Sequence, residues 1–385
     1  MRITDFQAFY LEIPFAEPGM RSVAYGIKKS WGFTLVKVFT DEGIVGIGGQ
    51  VTAMNGGKYF SKILNESVKP LLLEKIVDPH NVGLYTAWMR SLAPSTNLSP
   101  RPCCVEMALW DAVGKSARQP IYKLLGARQD KVKAYINSTT KAPRWEPDEI
   151  AKFAVKSLER GYRAIKTNIY NTTEVQKDLD GIKAIRAAVG DEMDIMVDAQ
   201  SDLSPWGIRR FTYPMALKIA RELEKLDVLW LEDIIPYSVD PDLCIRFAAE
   251  VDILIASGGQ LYGAHTFKTL MENNVLDVVQ PDVMHVGGIS ELVKVAALAE
   301  MYNKMCCPHT GYVPGLVTAA TLQAAGATNI QYVENILEPY ATIEVRDSIL
   351  KDPLAIDRDG YMPIPQKPGL GIELDETNVR KFTVP

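Results

Sequence analysis

The sequence predicts an α/β protein, a (β/α)8-type barrel with a smaller α+β domain. Three observations predict it. The chain has 385 residues, which suits two domains if one is a closed barrel. From about Lys131 its texture changes to short apolar runs separated by amphipathic helical stretches. Eight such runs recur about every 25 to 35 residues, each with a helix-sized connection, as βα units closing into a parallel barrel require.

The first 130 residues or so lack that regular alternation. Ile3 to Ile13 and Gly32 to Thr40 are rich in β-branched and aromatic residues, and Asp41-Glu42-Gly43 supplies a turn before Ile44 to Gly48, so a small antiparallel sheet is expected. Ala16 to Lys29 holds Pro18, Gly19 and Gly26 and reads as a mobile loop. Lys58 to Leu73, Val82 to Ser91 and Cys104 to Ala117 space apolar residues three and four apart and predict helices. The Gly46-x-Gly48-Gly49 cluster reads as a turn, because no βαβ helix follows it.

The eight barrel strands fall at Lys133–Asn137, Ala164–Ile169, Asp194–Asp198, Val228–Glu232, Ile253–Ser257, Val278–Asp282, Met305–His309 and Gln331–Glu334. The α+β domain is expected over residues 1–128, completed by a loop-rich return segment at about 351–385, with the barrel over 129–350.

Lys and Arg total 42 against 47 Asp and Glu, a net charge of −5 that disfavours a polyanionic partner such as nucleic acid. No apolar run approaches the roughly 18 residues needed to cross a bilayer, so no membrane partner is expected. The opening Met1-Arg2-Ile3-Thr4-Asp5 lacks a basic segment leading into an apolar one, so the chain reads as cytoplasmic. Five cysteines, two vicinal pairs among them, suit neither a disulfide framework nor a CxxC zinc site and read as buried free thiols.

In such a barrel, chemistry sits at the carboxyl ends of the strands. Lys166 and Asn168 close the second strand two residues apart, so alternation points both to one side. Asp198 closes the third strand, Glu232 the fourth, Asp282 the sixth, His309 the seventh and Glu334 the eighth. An Asp and a Glu on neighbouring strands supply oxygen ligands to a divalent cation, Mg²⁺ above all. A histidine backed by a carboxylate forms a dyad that can remove a weakly acidic proton. A lysine on the opposite wall can bind an anion or exchange a proton, and a protonated Glu334 could stabilise an enolate oxygen. His285, three residues past Asp282, could reach the same mouth; His265 could face it after Tyr262, and His80 reads as part of a helix start with Asp78 as its cap.

These residues, with Ala108-Leu109-Trp110-Asp111, Trp230-Leu231-Glu232-Asp233, Gln280-Pro281-Asp282-Val283, Gly287-Gly288-Ile289 and Pro368-Gly369-Leu370-Gly371, resemble the enolase superfamily and its mandelate racemase subgroup over nearly the whole chain. The resemblance implies an α+β capping domain over a modified (β/α)8-type barrel, a bound Mg²⁺ and abstraction of the proton α to a carboxylate to give a metal-stabilised enediolate. It implies Asp198 and Glu232 as metal ligands, His309 with Asp282 as the base dyad, Glu334 on the substrate carboxylate, and a homo-oligomer.

Two departures stand out. The second-strand motif is Lys166-Thr167-Asn168, resembling the Lys-x-Asn of sugar-acid dehydratases rather than the Lys-x-Lys of racemases. The fifth strand normally ends in a Glu that is the third ligand, and here Gly259 occupies that position, with Gln260 a possible substitute. The expected activity is dehydration of a sugar acid, with specificity from the capping loop at Met20 to Tyr25 and from Tyr312 and Trp206, while Asn168 and His285 also bind substrate. The alternatives are an epimerase, racemase or cycloisomerase using Lys166 as a second acid or base, and an acid-binding barrel without turnover because its metal site is incomplete.

Overall fold

The structure, a computed structural model, describes residues 1–16, 20–22, 26–52, 57–85, 87, 101–138, 145–169, 175–200, 211–235, 240–310, 313–338 and 341–385. The amino-terminal region is built on an antiparallel sheet of β1 (Ile3–Pro14), β4 (Ser30–Thr40) and β5 (Val45–Val51), in the order β1-β4-β5. Gly43 turns the hairpin between β4 and β5 at a φ of 74°, donating its N–H to the Thr40 carbonyl. The segment expected to be a loop instead contains a short ladder, with β2 (Met20–Ser22) antiparallel to β3 (Gly26–Lys28). Pairing within the segment satisfies backbone groups that a loop would leave to water.

The glycine cluster is likewise not a turn. Gly46 and Gly48 lie inside β5, where a Cβ would come 2.1 Å from the Ala108 carbonyl oxygen and 1.9 Å from that of Cys104. The absence of side chains lets α2 (Cys103–Ser116) lie directly on the strand. Before it, the expected helix Lys58–Leu73 is α1 (Gly57–Ile63), a π turn over Leu64–Val68 and a further α turn over Lys69–Leu72. Pro70 supplies no backbone N–H at this point, which favours a local change of register over an unbroken ladder. Part of the expected Val82–Ser91 helix lies outside the described residues.

Eight parallel strands follow: β6 (Lys131–Asn137), β7 (Ala164–Asn168), β8 (Asp194–Asp198), β9 (Val228–Glu232), β10 (Leu254–Ser257), β11 (Val278–Val279), β12 (Met305–Cys306) and β13 (Tyr332–Leu337). They are hydrogen-bonded in the order β12-β11-β10-β9-β8-β7-β6-β13. Gln331 spans the remaining seam, since its N–H donates to the Cys306 carbonyl at 3.4 Å and its Oε1 accepts the Cys306 N–H at 3.1 Å. β11 and β12 are shorter than expected because Pro281 and Pro308 have no N–H to extend the ladder. The helices between strands are amphipathic, except α9 (Gly315–Gly326), which is buried along its whole length. Among the described residues no helix is long and apolar enough to cross a membrane. All five cysteines are buried free thiols.

The amino-terminal region is joined to the barrel by polar contacts as well as packing. Glu106 on α2 is buried and accepts the N–H groups of Ile289 and Ser290 at 2.8 and 2.9 Å, closing the start of the barrel helix α8 (Ile289–Met301). Asp111 accepts the N–H of Ile47 at 2.8 Å and of Leu370 at 2.7 Å, tying β5 to the carboxyl-terminal segment. That segment touches both units: β14 (Tyr361–Pro363) pairs antiparallel with β6, and the Val384 N–H donates to the Tyr10 carbonyl at 2.9 Å.

Candidate active site

Each barrel strand, or its immediate extension, sends one side chain to a common apolar layer: Tyr135, Ala164, Met196, Trp230, Ala256, Val278, Cys307 and Tyr332. Trp230 anchors it with edge-on contacts to Tyr135 and Tyr332, at ring-centroid distances of 5.9 and 6.0 Å. Two residues further along each chain, alternation brings the next side chain to the same face. Those positions are Asn137, Lys166, Asp198, Glu232, Gly258, Gln280, His309 and Glu334. The apolar layer is thus a floor, and the polar side chains stand on it at the carboxyl ends of the strands.

Lys166 is 1% exposed. Its Nζ donates to Glu232 Oε1 and Oε2 at 2.8 and 3.1 Å and lies 3.2 Å from Glu334 Oε1. Burial works against the ammonium, but the charges of Glu232, Glu334 and Asp198 outweigh it and hold its pKa well above the usual lysine range. Gln280 Nε2 donates to Glu232 Oε2 at 2.7 Å, which fixes that carboxylate from the other side. Glu334 accepts from Asn137 Nδ2 and from the Thr310 N–H, the latter at 3.1 Å. With Lys166 beside it, that donor set favours the carboxylate over the neutral acid expected from the sequence.

Burial, reinforced by the charge of Glu232, pushes the Asp198 carboxyl up to about 7. Its Oδ1 accepts the Gln200 N–H at 2.7 Å. Asp198, Glu232 and Asp233 each offer a carboxylate oxygen, and these three atoms lie within 4.8 Å of one another. Asp233 escapes a reading by strand alternation, which would place it on the face opposite Glu232. Its φ of 50° leaves the strand in a left-handed turn and brings both carboxylates to one side. The Ser257 hydroxyl donates to Asp233 Oδ1 at 2.5 Å. A third acidic residue is therefore present although the fifth strand has Gly259, and Gln260 is exposed.

His309 Nδ1 lies 2.8 Å from Asp282 Oδ2, and Asp282 is fully buried, its Oδ1 accepting the Met284 N–H at 2.7 Å. The carboxylate accepts, so Nδ1 bears the hydrogen and Nε2 is the nitrogen left for chemistry. Burial pulls the His309 pKa down, but the Asp282 hydrogen bond and the charges of Glu334 and Asp282 prevail and carry it up to about 9. His285 joins this group: its Nδ1 is 2.9 Å from the Gly259 carbonyl oxygen and 3.8 Å from Asp282 Oδ2. Asn168 donates from Nδ2 to the Asp198 carbonyl at 3.1 Å, and its buried Oδ1 has no hydrogen-bond partner among the described residues.

Other expected positions fall elsewhere. His265 is exposed on the first turn of α7 (Ala264–Glu272). His80 is exposed, and Asp78 Oδ1 accepts the Asn81 N–H at 2.8 Å as a cap would. Tyr25, Trp206 and Tyr312 lie outside the described residues. The sequence reading missed Asn137, Gln280 and Asp233. The first two were signalled by their place two residues past an inner-layer side chain.

The profile of the mandelate racemase/muconate lactonizing enzyme amino-terminal domain matches residues 13–126, and the enolase carboxyl-terminal domain-like profile matches residues 149–378. The chain belongs to the mandelate racemase/muconate lactonizing enzyme family of the enolase superfamily. Within this family it is 31% identical over 339 residues to an arabinonate dehydratase of Saccharolobus solfataricus, covering 87% of this chain and 86% of that one. It is also 31% identical over 368 residues to a D-galactonate dehydratase of Variovorax paradoxus, covering 92% and 91% respectively. The family fold recurs in the crystal structure of a racemase from Streptomyces coelicolor with bound magnesium, at a TM-score of 0.83 and 24% identity over 99% of this chain and 100% of that one.

Proposed function

We propose that the protein is a hydro-lyase that removes water from a sugar acid. The observation that supports this reading is the single imidazole–carboxylate base, His309 with Asp282, set at the same strand ends as a closed Lys166–Glu232–Glu334 cluster. In its neutral form the His309 ring takes the proton α to the substrate carboxylate on Nε2, and the electron pair left on carbon expels the β-hydroxyl. Asp282 orients the ring and stabilises the imidazolium that forms. Lys166 is held as a cation by two carboxylates, so it has no free lone pair with which to act as a second base. That asymmetry favours elimination over two-base racemisation, in agreement with the dehydratases among the relatives.

The donor set fits a divalent cation. Three carboxylates, two buried and Asp233 half-buried, form an all-oxygen cluster of the kind a hard cation such as Mg²⁺ takes, and Asp198, Glu232 and Asp233 would hold it. When bound, the cation supplies Lewis-acid polarisation of the substrate's carboxylate. Incubating the protein with a panel of sugar acids, with and without Mg²⁺, tests the reading. A 2-keto-3-deoxy acid formed only with the cation is the expected outcome. Exchange of the α hydrogen with solvent deuterium, with no loss of water for any acid, would move the assignment to an isomerase.

A further inference from the structure

We infer that His285 is a second catalytic imidazole, the acid that protonates the departing β-hydroxyl. The inference rests on the dehydration proposed above and extends it. Elimination breaks a C–O bond to a poor leaving group. Expelled as hydroxide it carries away the bonding pair unaided, whereas a proton delivered in the same step makes it water.

Two imidazoles stand against one carboxylate oxygen: His309 Nδ1 at 2.8 Å and His285 Nδ1 at 3.8 Å from Asp282 Oδ2. Both rings are partly open, with side-chain exposures of 29% and 26%, while Lys166 is closed off at 1%. The position that holds a glycine in place of a carboxylate explains how the second ring is set. Gly259 offers its carbonyl oxygen, 2.9 Å from His285 Nδ1. A carbonyl oxygen only accepts, so Nδ1 bears the hydrogen and Nε2 is the nitrogen free to give a proton. The other side of Gly259 lies on the His309 ring, where a Cβ would come 3.3 Å from Cγ and 3.4 Å from Cδ2. A side chain there would crowd the base, so Gly259 spaces one imidazole and orients the other.

The step balances. His309 Nε2 takes the α proton, the C–H pair becomes the carbon–carbon double bond of an enol, and the C–O pair leaves with oxygen. The proton on Nε2 of protonated His285 bonds to that oxygen. Water departs, His309 ends protonated and His285 neutral, and exchange with solvent resets both.

The test uses the Mg²⁺-loaded full chain in deuterium oxide with a sugar acid that the wild type dehydrates. His285→Asn is the first variant, since its amide can still donate to the Gly259 carbonyl, and His285→Gln is the second. Thermal melting confirms that each is folded. The expected result for a folded variant is α-deuterium incorporation into recovered substrate within a few-fold of wild type, while water loss falls about 10²-fold or more. The 3-deoxy-3-fluoro analogue, whose leaving group needs no proton, should be turned over near the wild-type rate. Water loss within a few-fold of wild type in both variants would overturn the inference. So would parallel loss of exchange and water loss with no recovery on the fluoro analogue. If the wild type itself neither exchanges nor dehydrates any acid, the dehydration reading falls and the inference falls with it; if the wild type dehydrates and His285→Asn does too, only the inference falls.

Discussion

His309 is the base of the proposed elimination, and that step is most exposed there to a single substitution. Its Nε2 is the nitrogen left free, because the Nδ1 hydrogen is donated to Asp282. We expect His309→Asn to lower kcat by about 10²–10⁴-fold and to abolish α-deuterium exchange, as read by NMR of recovered substrate. The folded-state pKa near 9 is raised above the ordinary histidine value of 6.5, so the charged dyad stabilises the metal-free protein fully below pH 6.5. That stability is lost as pH rises through about 9. Asp282→Asn removes the main raising interaction, so the upper end of this window should move toward neutral pH, measured as melting temperature against pH in chelator. Lys166 is a different case, because removing it strands two buried carboxylates. Lys166→Met should destabilise the metal-free protein by about 3–5 kcal/mol in urea unfolding, most of it the cost of unpaired charge.

At the scale of elements, the junction of α2 with α8 depends on one buried side chain. Glu106 accepts two backbone N–H groups and the Ser290 hydroxyl at 2.7 Å, and the Ser290 hydroxyl in turn accepts from Trp110 Nε1 at 2.8 Å. Burial pushes its carboxyl up to about 7. Glu106→Ala leaves those donors without a partner and should cost about 1–3 kcal/mol in chemical denaturation. The strands themselves were largely legible in the sequence. Asp194–Asp198 and Val228–Glu232 have the ends their apolar runs indicate, because each is buried on both faces and bounded by turn residues. The β2–β3 ladder was not legible, since a three-residue strand is too short to show a period. Nor was the role of Gly46 and Gly48, which is set by a helix more than fifty residues away in the chain.

For the whole molecule, the amino-terminal region, the barrel and the carboxyl-terminal segment share one set of contacts, and the three carboxylates that would hold a cation lie at the barrel's polar layer. A cation bound there would compete with protons for those carboxylates. The Asp198 pKa of about 7 is raised above the ordinary 3.8, so protonation stabilises the metal-free fold below pH 3.8, and this contribution is lost as pH rises through 7. Cation binding requires the carboxylates, so the gain in melting temperature on adding Mg²⁺ should be largest above pH 7 and shrink toward pH 5. Scanning calorimetry in Mg²⁺ and in chelator across that range checks it. A gain independent of pH would place the cation elsewhere.

The sequence by itself determined the barrel and the identity of most of its polar layer. Strand alternation is a local property: a residue two positions past a buried inner side chain faces the same way, so Lys166, Asp198, Glu232, His309 and Glu334 could be found without coordinates. Tertiary structure alone decided what those residues meet. Asp233 reaches the cluster through a left-handed backbone turn, Gln280 locks Glu232 from another strand, and His285 is set by a carbonyl at Gly259. Periodicity encodes the direction of a side chain along its own strand, whereas a hydrogen bond between strands depends on register and turn geometry, which are fixed only when the barrel packs.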